Sequence, residues 1–166
     1  MFIDGGYMRR VLKEYFGEPS IDYEAFSNRL CEGAERLRTY YYDCMPLQSD
    51  PPTPEERRLY SGMDRFLYNI RRLSRFEVRL GKLIFVPSRT SAGYVPPDPR
   101  HGRFIQKGVD VLLSVDLVRM SWDKQIQRAV LVTGDSDFVP AVSAAKDAGV
   151  LTQLYYSRHA VHDELL

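Results

Sequence analysis

The sequence has few cysteines, few histidines and no excess of charge of either sign. Two cysteines, Cys31 and Cys44, are too few for a disulfide framework and match no metal-ligand spacing, so we expect a reducing, cytoplasmic environment. Lys and Arg total 23 against 22 for Asp and Glu, a formal net charge of +1. Any affinity for nucleic acid must therefore come from a local basic patch.

Long hydrophobic runs are also missing. No window approaches the roughly 20 apolar residues that a membrane-spanning helix needs, and residues 1–4 lack the cationic and apolar regions of a secretory signal. We therefore expect no membrane association. With 44% hydrophobic and 27% charged residues, the chain is typical of one globular domain, which we place over residues 1–166.

Short apolar runs alternate with helical patterns along the chain. We predict strands over about 1–3, 36–44, 76–86, 129–132 and 150–156, with Gly81 dividing the third strand or forming a bulge. Two short helices, the second capped by Asp22, follow the first strand, and a long helix begins near Pro54. Further helices are expected from Lys107 to about Trp122 and over about 138–148. Because each crossover has room for a helix, the order predicts an α/β fold with one doubly wound, mostly parallel sheet flanked by helices.

One long loop is expected over residues 87–102, which contain four prolines. Arg89, Arg100 and His101 lie in it, and Arg103 follows. Loops of this length inside compact domains are usually functional or disordered, so we interpret this one as a lid that faces the substrate.

Acidic residues follow two of the predicted strands. Asp4 ends the first strand, and Asp135 and Asp137 follow the apolar run of residues 129–132. Ligands of open α/β sheets bind beyond the carboxyl ends of the strands, so we expect these two strands to be neighbours. Read alone, Asp4 can be a turn former, and Ser136 or Asp137 can cap the next helix. Asp135 is then left without a capping role.

The helix from Lys107 carries two further acids. On a helical wheel Asp116 falls in the middle of the apolar face, whereas Asp110 lies at its edge near the helix start. A buried carboxylate needs hydrogen-bond donors, a cation or a proton. Two roles for Asp116 therefore stay open, a structural acid and a metal ligand.

Asp4, Asp110, Asp135 and Asp137 are expected to converge at one edge of the sheet. Crowded carboxylates repel one another unless a cation lies among them, and Mg²⁺ binds such oxygen ligands while it keeps several waters. An ion held this way can orient a phosphodiester and activate a water molecule. Lys107, one turn before Asp110, would add positive charge near the phosphate.

Three motifs together resemble the NYN domain, a PIN-like nuclease fold, and within it the LabA/DUF88-like group. They are Phe2-Ile3-Asp4-Gly5, Lys107-Gly108-Val109-Asp110 with Asp116, and Thr133-Gly134-Asp135-Ser136-Asp137-Phe138-Val139-Pro140. The resemblance implies a nuclease, most often a ribonuclease, that depends on Mg²⁺ or Mn²⁺ held by Asp4, Asp110, Asp135 and Asp137. Many members carry Asn two residues after the glycine of the first motif, where this chain has Tyr7.

The residues expected to act fall into two groups. For catalysis we expect Asp4, Asp110, Asp135, Asp137 and Asp116. For binding nucleic acid we expect Lys107, Arg103, Arg100, Arg9 and Ser136. The expected substrate is RNA, with DNA as the alternative, and because the net charge is close to zero we expect a protein partner or a homo-oligomer to extend the basic surface.

Two other functions stay open. A phosphatase of the haloacid dehalogenase kind also uses a strand-end Asp, but it needs a second acid at position 6, which is Gly6. A binding module without catalytic activity would keep the fold, and its binding of RNA or protein would survive chelation of metal ions.

Overall fold

The structure is a computed structural model that describes residues 1–87 and 102–165, and for residues 83–87 and 102–107 it describes the backbone alone. One six-stranded sheet has the strand order β4-β3-β2-β1-β5-β6. The strands are β1 (Phe2–Asp4), β2 (Thr39–Cys44), β3 (Phe76–Pro87), β4 (Gly102–Lys107), β5 (Arg128–Val132) and β6 (Leu151–Tyr155). The strands β3, β2, β1, β5 and β6 run parallel to one another, and β4 pairs antiparallel with β3 at one edge.

Five α-helices lie in the described part of the chain. They are α1 (Gly5–Phe16), α2 (Tyr23–Leu30), α3 (Pro54–Arg71), α4 (Val109–Trp122) and α5 (Val139–Asp147). Asp22 caps α2 as predicted, accepting hydrogen bonds from the backbone N–H groups of Glu24 and Ala25. Thr53 and Glu56 form a capping box around Pro54, which explains why α3 begins there.

The helices cover both faces of the sheet. Phe2, Tyr40 and Tyr42 pack in one core with α4 and α5, whereas Ile3 and Tyr41 pack in a second core with α1, α2 and α3. Side chains alternate between the two faces along a strand, which assigns the three consecutive tyrosines of β2 to opposite cores. The predicted α/β fold with a mostly parallel sheet flanked by helices is confirmed.

The edge of the sheet at β4 differs from the prediction. We expected no strand between residue 87 and the helix near 107, but Gly102–Lys107 pairs antiparallel with the second half of β3. The strand β3 is continuous through Gly81, where its partner changes from β2 to β4. Gly102–Lys107 is a short run of mixed polar and apolar residues that follows a proline-rich stretch. Such a run gives too weak a signal to predict a strand. The predicted lid falls on residues 88–101, outside the described residues.

No helix in the described ranges has the length and apolar character needed to cross a bilayer. The cytoplasmic location stays a prediction.

Candidate active site

The two central strands bring the first and last acidic motifs together. β1 lies beside β5 with Ile3 opposite Val132, which confirms that the strands leading to Asp4 and Asp135 are neighbours. Just beyond β5, the hydroxyl of Thr133 donates a hydrogen bond to Oδ2 of Asp4 at 3.2 Å. The same hydroxyl accepts one from the backbone N–H of Asp135 at 3.3 Å. Thr133 is fully buried, so it fixes the two motifs relative to each other.

Asp4 has a capping role in addition to its place at the strand end. Its Oδ1 accepts a hydrogen bond from the backbone N–H of Tyr7 at 3.0 Å, which caps α1. Burial raises the pKa of Asp4, and the negative charge of Asp135 raises it further, while the hydrogen bonds from Tyr7 and Thr133 and the charge of Arg10 lower it. Two hydrogen bonds therefore hold the carboxylate, and its pKa is still raised.

The turn after β5 assigns capping to a different acid than we expected. The Oδ1 of Asp135 accepts a hydrogen bond from the backbone N–H of Asp137 at 3.0 Å and caps a turn of 3-10 helix, Ser136–Phe138, that leads into α5. The expectation that Ser136 or Asp137 caps the helix and leaves Asp135 free is wrong. The 3-10 turn before α5 moves the cap upstream, a register that the sequence pattern does not reveal.

Asp110 lies in the first turn of α4, at its exposed end. Partial burial of its carboxyl group raises its pKa, and the charges of Asp4, Asp135 and Asp137 each raise it further. The charges of the other three acids therefore act on Asp110. That all four converge on one metal ion stays a prediction. Within the described residues, no cation pairs with any of the four.

Arg9 and Arg10 follow one another on α1 but have different neighbours. Arg9, predicted to bind nucleic acid, forms an ion pair with the fully buried carboxylate of Asp43. Arg10 is exposed, lies 5.7 Å from the ring centroid of Tyr7, and lowers the pKa of Asp4. Arg10 is thus a cation beside the acids that the sequence reasoning missed, and the role of Arg9 in RNA binding stays a prediction.

Asp43 is a further strand-end acid that was missed. It lies at the end of β2 and accepts a hydrogen bond from the backbone N–H of Cys44 at 2.7 Å. Its position after a run of tyrosines resembles that of Asp4 after Phe2 and Ile3, so the same reasoning would have found it. Because Arg9 compensates its charge, the structure favours a structural role for Asp43.

Asp116 has its own set of partners on the face of α4 that meets the sheet. Its Oδ2 accepts a hydrogen bond from the hydroxyl of Tyr42 at 2.9 Å, and Arg79 and Arg119 lie 3.6 and 3.3 Å from its two oxygens. These contacts support the structural alternative. A catalytic role for Asp116 stays a prediction.

The C-terminal segment, residues 157–165, packs against the turn that carries Asp135. The backbone N–H of His162 donates to the carbonyl of Gly134 at 2.9 Å, and that of Ser157 donates to the hydroxyl of Tyr7 at 2.8 Å. A Cβ on Gly134 would lie 2.0 Å from the carbonyl oxygen of Ala160, so only glycine fits at this point of the motif. Tyr7 therefore anchors this segment beside the acids.

The remaining predicted binding residues are placed only in part. The side chains of Lys107 and Arg103, and the whole of Arg100, lie outside the described residues. Ser136 lines a cleft together with Asp110 and Asp137.

The donor set suits a hard divalent cation. Asp4 and Asp110 have raised pKa values partly because of neighbouring negative charge, which a cation among them would relieve. In the described ranges no three acid, histidine or cysteine side chains are gathered closely enough to enclose an ion. Mg²⁺ binds through one or two carboxylates and keeps several waters, so an open arrangement of this kind fits it.

One of three comparisons with known proteins identifies the family of the chain. The family model described as the NYN domain matches residues 1–166. The comparison with curated proteins gave no match, and neither did the comparison with solved structures. Assignment to the LabA/DUF88-like group stays a prediction. The match over the whole length shows that the chain belongs to the NYN family, within the PIN-like nuclease superfamily.

Proposed function

We propose that the protein is an endoribonuclease that depends on Mg²⁺ or Mn²⁺. The observation that carries the proposal is the meeting of Asp4 and Asp135 beyond two adjacent central strands, with Asp4, Asp135 and Asp137 close enough to Asp110 for their charges to raise its pKa. Open α/β sheets bind ligands at this edge, and four carboxylates that pair with no cation among the described side chains favour a divalent ion.

The residues of the chain would share the work as follows. Asp4, Asp110, Asp135 and Asp137 supply oxygen ligands, and when bound the ion supplies a polarised phosphate and a more acidic water. Thr133 keeps Asp4 and Asp135 in register, and the capping hydrogen bonds on the Oδ1 atoms hold both carboxyl groups in fixed orientations. Arg10 offers a positive charge to a phosphate that approaches Asp4.

The choice of substrate rests on the family and on the positive charge of Arg10 beside the acids. RNA is the proposed substrate and DNA the alternative. The acidic site itself repels a polyanion, so we also propose that a protein partner or a second copy extends the basic surface. The phosphatase alternative needs an acid at position 6, and Gly6 lies there in the first turn of α1.

Cleavage of a labelled single-stranded RNA tests the proposal. The wild-type protein should cut it with Mn²⁺ and lose cutting when the ion is chelated, and Asp4→Asn and Asp135→Asn should each lower kcat by at least about a hundredfold. Asp147→Asn removes an exposed acid at the far end of α5 and should leave the rate unchanged. Equal activity of Asp4→Asn and wild type would contradict the proposal.

A further inference from the structure

A groove runs from the candidate active site along the surface between α4 and α5. Its first part has a volume of about 630 Å³ and is bounded by Asp110, Asp137 and Glu164. Its second part, about 470 Å³, shares Ser114, Val115, Asp137 and Pro140 with the first and ends at Arg119. We call the two parts together the α4–α5 groove. Its size is that of a ligand site, and it opens directly onto the acids.

The walls of the groove are apolar although they face solvent. Val111 and Val115, one helical turn apart on α4, are 63% and 55% exposed. Val139 and Pro140 face them from α5. Single exposed valines are common, but apolar side chains on both walls of one groove form a surface against which a nucleobase or a sugar can pack.

Charge divides the groove into two parts. Among the described residues that line the first part, every charged side chain is acidic, namely Asp110, Asp137 and Glu164. A phosphate is repelled there unless a metal ion holds it, so the neutral sugar and base of a nucleotide fit this part best. The second part ends at Arg119, whose guanidinium uses one described contact, to Asp116, and is half exposed. Guanidinium has five donors, so others remain for a phosphate.

Glu164 is held in this groove by the C-terminal segment. His162 bonds to Gly134, and the N–H of Leu165 donates to the carbonyl of His162 at 3.0 Å, which closes a turn around Glu164. In the described part of the chain no donor bonds to the Glu164 carboxylate. A carboxylate accepts hydrogen bonds only, and the 2′-hydroxyl is the donor that distinguishes RNA from DNA.

We propose that the α4–α5 groove binds single-stranded RNA beside the scissile bond, with Glu164 accepting a hydrogen bond from a ribose 2′-hydroxyl and Arg119 contacting a backbone phosphate. At a rise of about 1.5 Å per residue, Arg119 lies about 13 Å along α4 from Asp110. This distance exceeds the length of one nucleoside, so the groove has room for more than one. This inference deepens the proposed nuclease function and rests on it for the identity of the ligand.

Binding of matched RNA and DNA oligonucleotides tests the role of Glu164. Fluorescence anisotropy with Ca²⁺ in place of Mn²⁺ measures affinity while a divalent ion neutralises the acids. A gel of the oligonucleotide after each titration checks that it is still intact. Glu164→Ala should lower the ratio of RNA affinity to DNA affinity about tenfold, since it removes a hydrogen bond that only RNA makes. Asp163→Ala removes the same charge from the neighbouring residue, which does not line the groove, and should leave the ratio unchanged.

The salt dependence of the same binding tests Arg119. Arg119→Gln should weaken RNA and DNA equally and reduce the slope of log affinity against log salt by about one. Arg65→Gln on α3 removes an exposed arginine on the other face of the sheet and should change neither.

Two results would overturn the inference. One is a ratio of RNA affinity to DNA affinity that stays constant in Glu164→Ala. A joint rise of both affinities in that variant would show that Glu164 only repels the phosphates. The other is unchanged RNA binding in Arg119→Gln. If the wild type cuts neither nucleic acid while the ratio still falls, the groove stands and the proposed nuclease function fails. If the wild type cuts RNA while the RNA-to-DNA affinity ratio stays constant in Glu164→Ala, the proposed nuclease function stands and the groove inference fails.

Discussion

The hydroxyl of Tyr42 on β2 donates a hydrogen bond to Oδ2 of Asp116 on α4, with 2.9 Å between the two oxygens. Both groups are buried, and burial followed by the nearby negative charge of Asp116 raises the pKa of Tyr42. Tyr42 lies opposite Asp4 in the parallel register. This bond therefore ties the helix that carries Asp110 to the strand next to Asp4.

Asp116→Ala separates the structural role of this acid from a metal role. The change leaves the Tyr42 hydroxyl buried without its acceptor, so we expect the free energy of unfolding to fall by about 1–3 kcal/mol. Urea denaturation with and without Mn²⁺ measures it, and the stabilisation by the ion should stay the same as in wild type. A variant of normal stability that no longer responds to Mn²⁺ would instead identify Asp116 as a ligand.

Asp110→Asn should stabilise the protein in the absence of an ion and remove its response to Mn²⁺, the reverse of what we expect for Asp116→Ala. Because partial burial and three neighbouring acids raise the pKa of Asp110, its charge destabilises the folded state without an ion. We expect the variant to melt about 1–3 °C higher than wild type in chelator, and to lose most of the rise in Tm that Mn²⁺ gives wild type. Asp147→Asn is the matched control and should keep both values. A lower Tm in chelator would show that Asp110 has a stabilising partner.

The same pKa shifts predict how stability depends on pH. The pKa values of Asp4 and Asp110 lie above their usual 3.8 in the folded protein. Ionisation therefore costs more in the folded than in the unfolded state, and this cost is full above the raised pKa and is lost as pH falls toward 3.8.

The gain in unfolding free energy of Asp110→Asn over wild type, measured in chelator, should consequently be largest near pH 7 and shrink as the solution is acidified. Rising proton concentration should also weaken the stabilisation by Mn²⁺, because protons and the ion compete for the same oxygens. A gain that grows on acidification would mean that the pKa of Asp110 is lowered by folding.

The parts of the site that were predictable are those that follow from strand order. Asp4 and Asp135 each follow an apolar run, and parallel strands place both at one edge of the sheet, so their neighbourhood follows from a local pattern and a topological rule. Hydrogen bonds that depend on register were not predictable. Whether Asp135 or Asp137 caps the next helix depends on one turn of 3-10 helix, and periodicity does not distinguish the two.

Contacts between distant segments were also beyond the sequence reasoning. The C-terminal segment reaches Gly134 and Tyr7, and neither end of these contacts has a local signature. Gly134 makes room for the carbonyl of Ala160, a contact between segments far apart in the chain. The pairing of Arg9 with Asp43 was likewise hidden, because the two residues come from a helix and a strand 34 positions apart.

Gly134→Ala should be among the most damaging small changes in the chain. Its Cβ would lie 2.0 Å from a backbone oxygen and 2.6 Å from the ring of Tyr7, so the C-terminal segment must move. We expect a loss of about 2–4 kcal/mol in unfolding free energy, measured by urea denaturation. Gly62→Ala in α3 meets no atom within 4 Å and should stabilise the protein by about 0.5–1 kcal/mol. Similar stability of the two variants would show that the C-terminal segment does not rest on Gly134.

Arg9 and Asp43 should respond unequally to substitution. Arg9→Met leaves the carboxylate of Asp43, which is fully buried, without a cation, and we expect it to cost about 3–5 kcal/mol of unfolding free energy. Asp43→Asn should cost less, because the side chain of Arg9 is 41% exposed and water can solvate its charge. The double variant Arg9→Met/Asp43→Asn should recover much of the loss, since it leaves no unpaired buried charge. Equal costs for the two single variants would contradict this asymmetry.

The double variant also tests the predicted role of Arg9 in binding RNA. A single variant of Arg9 confounds lost stability with lost contact, whereas the double variant removes the guanidinium from a fold that is largely restored. If Arg9 serves only to compensate Asp43, the RNA affinity of the double variant should match that of wild type in fluorescence anisotropy. Arg10→Gln removes the exposed cation that lies near Asp4 and should weaken the affinity at low salt. A double variant that binds RNA more weakly than Arg10→Gln would assign the phosphate contact to Arg9.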